Sequence, residues 1–376
     1  MRTAGIICAA GQSLRMGDFK PLMRLNGFEM IRLTVQAMLD GGVDHVCVVV
    51  GHRGQEIVQA LHGFAVNFVE NHDFAQTDML FSVQMGLRAL LQDEDEPAAG
   101  YGAVLIAPGD AAAFSSHTVA ALLKRAGSSK AALISPRYKE GTGHPLLLRR
   151  ELFELVLGYE GHGGLRAALA ACEPECVELD DEGILLDADD PEAFALLEAY
   201  VRGHKGVSDE VVEELFEAHG TLPNIRAHCW ATSVLCERMV CNLNGLGLGL
   251  DFELCRSSAA LHDIERVKPR HAQAGADALH ARGYHTIAQI VARHNDGLEL
   301  GGADAGSDEM LNEANLVFLA DKLMKEDQLV SLDVRYAPAL EEFLPSTEIG
   351  RRCRMDKASC TRLLDRYTEL TGDRLL

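Results

Sequence analysis

The sequence predicts an α/β half followed by an all-α half, and three observations carry that prediction. The chain has 376 residues, about twice the roughly 150 that set the prior for one domain. Up to about residue 200, short β-branched apolar runs alternate with amphipathic helical stretches. Beyond about residue 203, helical periodicity is almost continuous and strand-like runs are nearly absent.

In the first half, strands are expected at 5–9, 45–50, 65–69, 102–107 and 131–135, with a late pair at 176–179 and 183–186. Helical patterns fall between them, at 29–39, 80–91 and 118–125. Continuous apolar strands separated by helices imply a mostly parallel sheet with helices on both faces. Such sheets bind ligands at the carboxyl ends of their strands. The polar, glycine-bearing stretch at 202–208 reads as a linker, with Ser208 placed to cap a helix over 210–216. Further helices are expected at 224–242, 252–262, 272–282, 284–294, 308–324 and 357–370. The expected domains are therefore 1–202 and 208–335, with 336–376 a charged helical tail. No internal repeat is present, and the one biased stretch is the short acidic run at 92–97.

Charge narrows the partners. Lys and Arg number 35 against 56 Asp and Glu, a formal net charge of −21. So acidic a surface repels nucleic-acid backbones and anionic lipid, so neither nucleic acid nor membrane is an expected partner. A polyphosphate substrate would need local basic groups or a divalent cation. The ten cysteines form no CxxC pair, which argues against a zinc ribbon or a redox motif. Several stand in apolar runs, such as Cys8 and Cys47, and read as reduced thiols. No window approaches the roughly 20 apolar residues of a membrane span. A cytoplasmic protein is expected.

The first strand ends in AAGQSLRMGDFKPL, residues 9–22. The small residues Ala9, Ala10 and Gly11 let backbone amides approach an anion. Arg15 and Lys20 set two positive charges beside them, suited to a triphosphate and to charge developing on departing pyrophosphate. The loop lacks GxxxxGK[ST] and GxGxxG, so neither a P-loop nor a dinucleotide fold is signalled.

This loop resembles the LAAGxSxRMGxxK signature of MobA/MocA-like molybdenum-cofactor nucleotidyltransferases. Further blocks follow in that family's order. They are Asn71-His72-Asp73 with the run from Asp78 to Val83, then Gly109-Asp110, Gly143-His144-Pro145, the GHGGLR turn at 161–166, and Asp187-Ala188-Asp189-Asp190-Pro191-Glu192. The likeness covers roughly residues 1–200 and is nearest to molybdopterin cytidylyltransferases. It departs at Ala111–Ala113, where the family has a proline, at Asp78 for glycine, at His162 for aspartate and at Asp190 for threonine. It implies a Rossmann-like nucleotidyltransferase sheet. Ala9, Ala10, Gly11, Ser13, Arg15, Lys20, Ser82 and Asp110 would bind the nucleotide, with Arg15, Lys20 and Asp110 catalytic. Asp110 would hold Mg²⁺, with Asp187 or Asp189 a second candidate; His144 and Arg166 would shape the pocket.

The helical half holds a second constellation: His228, the adjacent pair His262-Asp263, His271, His294 and Asp321. These residues are too far apart in sequence to meet locally, so they must converge from separate helices. Imidazole and carboxylate are first-row metal ligands. A metal held this way lowers the pKa of bound water to about 7 and presents hydroxide to a phosphoester.

The pattern is similar to HD-domain phosphohydrolases over about 223–335. By that likeness His228, His262, Asp263 and Asp321 would hold one divalent transition metal, such as Mn²⁺ or Fe²⁺. His271 and His294 would hold a second metal or the substrate phosphate, with Lys268 beside them. Relatives carry HDxGK, whereas Glu265 stands here at the glycine position and Arg266 at the lysine position.

Together the halves read as an enzyme transferring NMP from CTP or GTP to a phosphorylated acceptor such as molybdopterin, fused to a metal-dependent phosphohydrolase. A molybdoenzyme is a candidate partner. Two alternatives stand beside this: a degenerate nucleotide-binding module with a regulatory HD sensor, or a transferase acting on a sugar phosphate.

Overall fold

The computed structural model describes residues 1–13, 16–92, 100–295 and 311–376. It divides into two compact units, Met1–Val201 with Gly247–Gly249, and Arg202–Leu246 with Leu250–Leu376.

The first unit opens with β1 (Thr3–Ala9), then a two-residue hairpin of β2 (Arg24–Leu25) and β3 (Phe28–Glu29). Asn26 and Gly27 between them have φ of 52° and 88°, the left-handed pair a tight hairpin needs. There follow α1 (Met30–Asp40), β4 (His45–Val50), α2 (Gly54–Ala60), β5 (Val66–Glu70) and α3 (Met79–Leu91). Next come β6 (Ala103–Pro108), α4 (Ser116–Ser128), β7 (Leu133–Tyr138), β8 (Gly141–Thr142) and β9 (Leu146–Arg149). The unit continues through α5 (Phe153–Leu157), α6 (Gly164–Ala168), β10 (Glu175–Glu178) and into α7 (Pro191–His204).

Seven strands lie in the order β10-β7-β9-β6-β1-β4-β5, with β8 paired to β7. β1 runs parallel to both β4 and β6, β4 to β5, and β10 to β7. The strands alternate between two faces. Ile7, Val46 and Val48 pack with Ile31, Val35, Val119 and Leu122 on one side, while Ile6, Cys47 and Val49 pack with Val83 and Leu87 on the other. Burial on both faces is why these strands read as unbroken apolar runs. From β1 the chain adds β4 and β5 on one side and then crosses to place β6 on the other, a switch point that opens a crevice at the ends of β1 and β6.

Three expectations need correction. Residues 183–186 are not a strand but part of a 3-10 turn, Glu182–Leu185. The Asp181 carboxylate captures the Gly183 amide at 3.0 Å, and the Ile184 carbonyl accepts from the His144 amide at 3.1 Å, so neither group reaches a ladder. The sheet also contains an unforeseen antiparallel strand, β9, between β6 and β7. Finally, α7 occupies 202–204, so the polar linker stretch begins inside a helix. Pro191 opens that helix, and Asp190 caps it by accepting from the amides of Glu192 and Ala193 at 3.0 and 2.9 Å.

The second unit contains α8 (Asp209–His219), α9 (Pro223–Asn244), α10 (Phe252–Leu261), α11 (His271–Ala281), α12 (His285–Arg293) and α13 (Glu313–Leu323). A short hairpin of β11 (Met324–Lys325) and β12 (Gln328–Leu329) leads to α14 (Leu332–Glu342) and α15 (Glu348–Thr371). Ser208 caps α8 through the Val211 amide. Residues 315–323 of α13 are all buried, which marks α13 as the central helix, packed against α9 and α10. Among the described residues no helix is long and apolar enough to cross a membrane.

Candidate functional site

In the first unit a cleft of about 540 Å³ lies at the ends of β1 and β6. Residues 9–13, Asp110, Asp187 and Asp189 line it, together with Asn71 and Ser82. The loop is tied down at both ends. The Ala10 carbonyl accepts from the His52 amide at 3.1 Å, and Ser13 Oγ accepts from the Lys20 amide at 3.2 Å. Leu14 and Arg15 lie outside the described residues, so the expected role of Arg15 is carried forward without a position.

Asp110 follows β6 and faces the loop because Gly109 lets the two strand ends approach: a Cβ there would lie 2.9 Å from the Ala9 Cβ. Lys20, on a 3-10 turn and buried, reaches across to the acids. Its Nζ lies 3.2 Å from Asp110 and 2.7 Å from Asp189. Burial alone would lower its pKa, but bonding to Asp189 and the charge of Asp110 outweigh burial and raise it. Asp187 accepts from the Asp189 amide at 3.2 Å and so fixes that turn. Ser82 on α3 is buried within 3.5 Å of Asn71 Nδ2.

The departures from the family motif also find places. Asp78 caps α3 through the Phe81 amide at 3.1 Å and lines the cleft. Asp190 caps α7, a task threonine also performs. His144 lines the cleft with its Nδ1 buried and without a hydrogen bond, and burial holds its pKa below the ordinary imidazole value. Arg166 does not shape the cleft: it is exposed on α6 and absent from the lining.

In the second unit five elements converge. His228 comes from α9, His262 and Asp263 from the end of α10, His271 from the start of α11, His294 from the end of α12 and Asp321 from α13. Their donor atoms form two groups, His228-His262-Asp321 and Asp263-His271-His294, each within 4.8 Å. Asp263 joins them. Its Oδ2 lies 3.5 Å from His262 Nε2, while its Oδ1 lies 3.2 Å from His271 Nε2 and 3.3 Å from His294 Nε2.

The imidazoles are oriented for ligation. Nδ1 of His228, His262 and His294 each faces a backbone carbonyl, of Glu326, Ala259 and Val291, at 2.6 to 2.7 Å. A carbonyl can only accept, so Nδ1 donates and Nε2 points into the cluster. His228 Nε2 and His262 Nε2 stand 3.2 Å apart. Two neutral lone pairs at that distance repel unless a proton or an ion lies between them. Asp263 Oδ1 and His294 Nε2 are buried without a hydrogen bond. These atoms fit divalent ions.

The electrostatics agree. Burial would raise the Asp321 pKa, but the Lys322 charge and the adjoining His228 and His262 imidazoles hold it well below the carboxylate range. Burial opposes charge on His262, yet the carboxylates of Asp263 and Asp321 raise its pKa well above the ordinary value. His294 is kept neutral mainly by burial.

Lys268 is placed elsewhere: it is exposed, and its Nζ pairs with Glu265 at 2.9 Å. Arg266 instead reaches the cluster, 2.8 Å from His271 Nε2 and 3.5 Å from Asp263. Sequence reasoning overlooked Lys322, whose Nζ lies 2.5 Å from Asp321, and Arg335, 3.9 Å from the same carboxylate. The signal for Lys322 was its position next to Asp321; for Arg335 there was none.

A family model for the MobA-like NTP transferase domain matches residues 5–177, and one for the HD domain matches residues 225–325. The chain joins a MobA-like NTP transferase domain to an HD domain. Domains of both kinds generally use divalent metals. The transferase domain is similar to the bifunctional protein GlmU of Thermus thermophilus, 33% identical over 159 residues, which are 41% of this chain and 32% of that one. It is also similar to 2-aminoethylphosphonate cytidylyltransferase of Lancefieldella rimae, 31% identical over 97 residues, 24% of this chain and 39% of that one. The chain thus spans about a third of the length of the curated relatives it matches. A solved nucleotidyl transferase from Methanothermobacter thermautotroptrophicus is 26% identical and covers 54% of this chain and 98% of its own, with a TM-score of 0.45.

Proposed function

We propose that the transferase domain, over 1–202, moves a nucleoside monophosphate from a nucleoside triphosphate to a phosphorylated acceptor and releases pyrophosphate. The observation that carries this reading is the buried Lys20 ammonium held between Asp110 and Asp189, facing the loop of small residues at 9–13. The amides of Ala9, Ala10, Gly11 and Ser13 cradle the triphosphate. Lys20 and Arg15 bear on the leaving pyrophosphate, and Ser82 borders the nucleotide. An acceptor phosphate oxygen attacks the α-phosphorus, so positioning and charge neutralisation do most of the catalysis. Asp110 and Asp189 suit Mg²⁺, which would supply charge to the triphosphate.

CTP is favoured over GTP, and molybdopterin is the favoured acceptor, from the motif likeness. The 2-aminoethylphosphonate cytidylyltransferase relative supports CTP and favours a small phosphonate or phosphate ester as the second choice of acceptor. The buried Lys20 bridge speaks against a degenerate binding module.

For the HD domain, over 208–335 with 336–376 as a helical tail, we infer a phosphohydrolase or phosphodiesterase. His228, His262 and Asp321 would hold one ion and His271 and His294 a second, with Asp263 beside both groups. Imidazole and carboxylate donors suit Mn²⁺ or Fe²⁺, which would supply Lewis acidity and an activated water. A cytoplasmic location, a molybdoenzyme partner, and the absence of nucleic-acid and membrane partners complete the proposal.

The test is incubation of the full chain with each NTP, molybdopterin or aminoethylphosphonate, and Mg²⁺ or Mn²⁺, with products read by mass spectrometry. The expected result is a CMP adduct with pyrophosphate. Absence of pyrophosphate with every NTP and acceptor overturns the transferase reading.

A further inference from the structure

Arg335 stands on α14, beyond the residues that match the HD family. The Ser331 side chain caps the start of α14 by accepting from the Val334 amide, and the neighbouring Tyr336 is buried against Cys360 of α15. The helix is thereby fixed in register. Arg335 Nη2 lies 3.9 Å from Asp321 Oδ1, the same oxygen that lies 3.4 Å from His228 Nε2 and 3.6 Å from His262 Nε2. The Asp321 side chain is 5% exposed and that of Arg335 29%, so the guanidinium links a buried ligand oxygen to solvent.

That oxygen has no need of Arg335. Lys322 already neutralises Asp321 from its other oxygen at 2.5 Å. An ion bound by His228, His262 and Asp321 would claim Oδ1 and leave the guanidinium beside concentrated positive charge. Two divalent ions outweigh the two carboxylates, and Lys322, Arg266 and Arg335 add to the excess. A guanidinium is stable in such a place when an anion bridges it to the ions, and its planar fork matches phosphate oxygens.

We propose that Arg335 binds the phosphate of the HD domain's substrate, and that the group it takes is a terminal, dianionic phosphate rather than a diester. The proposal rests on the metal-dependent phosphohydrolase reading above. A diester brings one negative charge to this excess; a terminal phosphate brings two, plus a third oxygen for the guanidinium.

The experiment is calorimetric titration of the Mn²⁺-loaded full chain with inorganic phosphate and, separately, dimethyl phosphate, at alkaline pH where phosphate is a dianion. Wild type is compared with Arg335→Gln and Arg335→Lys. A His262→Ala control defines the share of binding that belongs to this cluster, and metal analysis reports Mn²⁺ content. Expected is a loss of about tenfold or more in phosphate affinity for Arg335→Gln, the scale of a charge-assisted bond, with partial rescue by Lys and unchanged Mn²⁺. Equal phosphate affinity in Arg335→Gln with Mn²⁺ bound overturns the proposal alone. Dimethyl phosphate binding that is as tight and as dependent on Arg335 overturns the choice of a dianion. Absence of His262-dependent Mn²⁺ binding in wild type overturns the phosphohydrolase reading and this proposal with it.

Discussion

Lys20 Nζ lies 2.7 Å from Asp189 Oδ1, although 169 residues separate the two in sequence. The Asp189 side chain is 47% exposed, and a pair at the surface would be worth little. The lysine decides the matter: its side chain is 8% exposed, and a buried ammonium without a partner is costly. Asp189 and Asp110 together satisfy it and raise its pKa, so the charge persists through the neutral range.

A divalent ion at this cleft would compete with the ammonium for the same carboxylates. Lys20→Met should lower nucleotidyl transfer by about two to three orders of magnitude, the scale of losing one preorganised charge at a developing anion. It should also tighten Mn²⁺ binding at this cleft in the absence of nucleotide, measured by spin-resonance titration of free Mn²⁺. Weaker binding in the variant would show that the lysine supports the ion rather than displacing it.

Asp263 presents one oxygen to each ligand group of the HD domain. Wild type is expected to hold two divalent ions, one for each group. Asp263→Asn should lose most of both, whereas His271→Ala should lose one, measured as metal per chain by elemental analysis. Chelation should lower the melting temperature, because ligand present at a hundred times its dissociation constant stabilises a fold by about 2.7 kcal/mol. Asp263→Asn retaining full metal content refutes the shared ligand.

Burial pushes the Cys47 thiol up to about 12 and raises Cys8 further. A thiol reacts as its thiolate, so neither should be alkylated by iodoacetamide at mildly alkaline pH in the folded chain. Cys241 is exposed and should be modified first. Peptide mapping by mass spectrometry checks the order. Early labelling of Cys8, which is half-buried and lines the cleft, would mean that the cleft admits the reagent and stabilises the thiolate.

Some of this architecture can be read directly because its signal is local. The run from Gly5 to Ala9 is apolar on both faces and passes straight into small residues, the pattern of a buried strand that ends in a tight turn. His228, His262 and Asp321 could be grouped because their residue types are ligands wherever they meet. Other features are settled by partners distant in sequence. Residues 146–148 form a short apolar run ahead of Arg149, and nothing in it says that it enters the sheet antiparallel between β6 and β7. Arg335 is one charged residue on an exposed-looking helix until the fold brings it to Asp321.

One buried carboxylate, Asp181, decides the conformation of residues 183–186. Asp181 accepts from the Ser115 amide and hydroxyl at 2.8 Å, from Thr118 Oγ1 at 2.6 Å, from the Gly183 amide at 3.0 Å and from Tyr200 OH at 3.2 Å. It ties the cap of α4 to the turn that leads into Asp187 and Asp189. Asp181→Ala strands several buried donors at once, at a cost of about 3 kcal/mol or more. For a unit of this size that is a fall of roughly 6–12 °C in melting temperature. Asp181→Asn keeps one acceptor oxygen and should fall by less. Because the same turn leads into the acids that line the cleft, transfer should decline in both variants at temperatures where they remain folded. Calorimetry on both, with transfer assayed well below the transition, checks the two effects separately. A melting temperature unchanged in Asp181→Ala would show that the turn is held by its apolar contacts and not by the carboxylate.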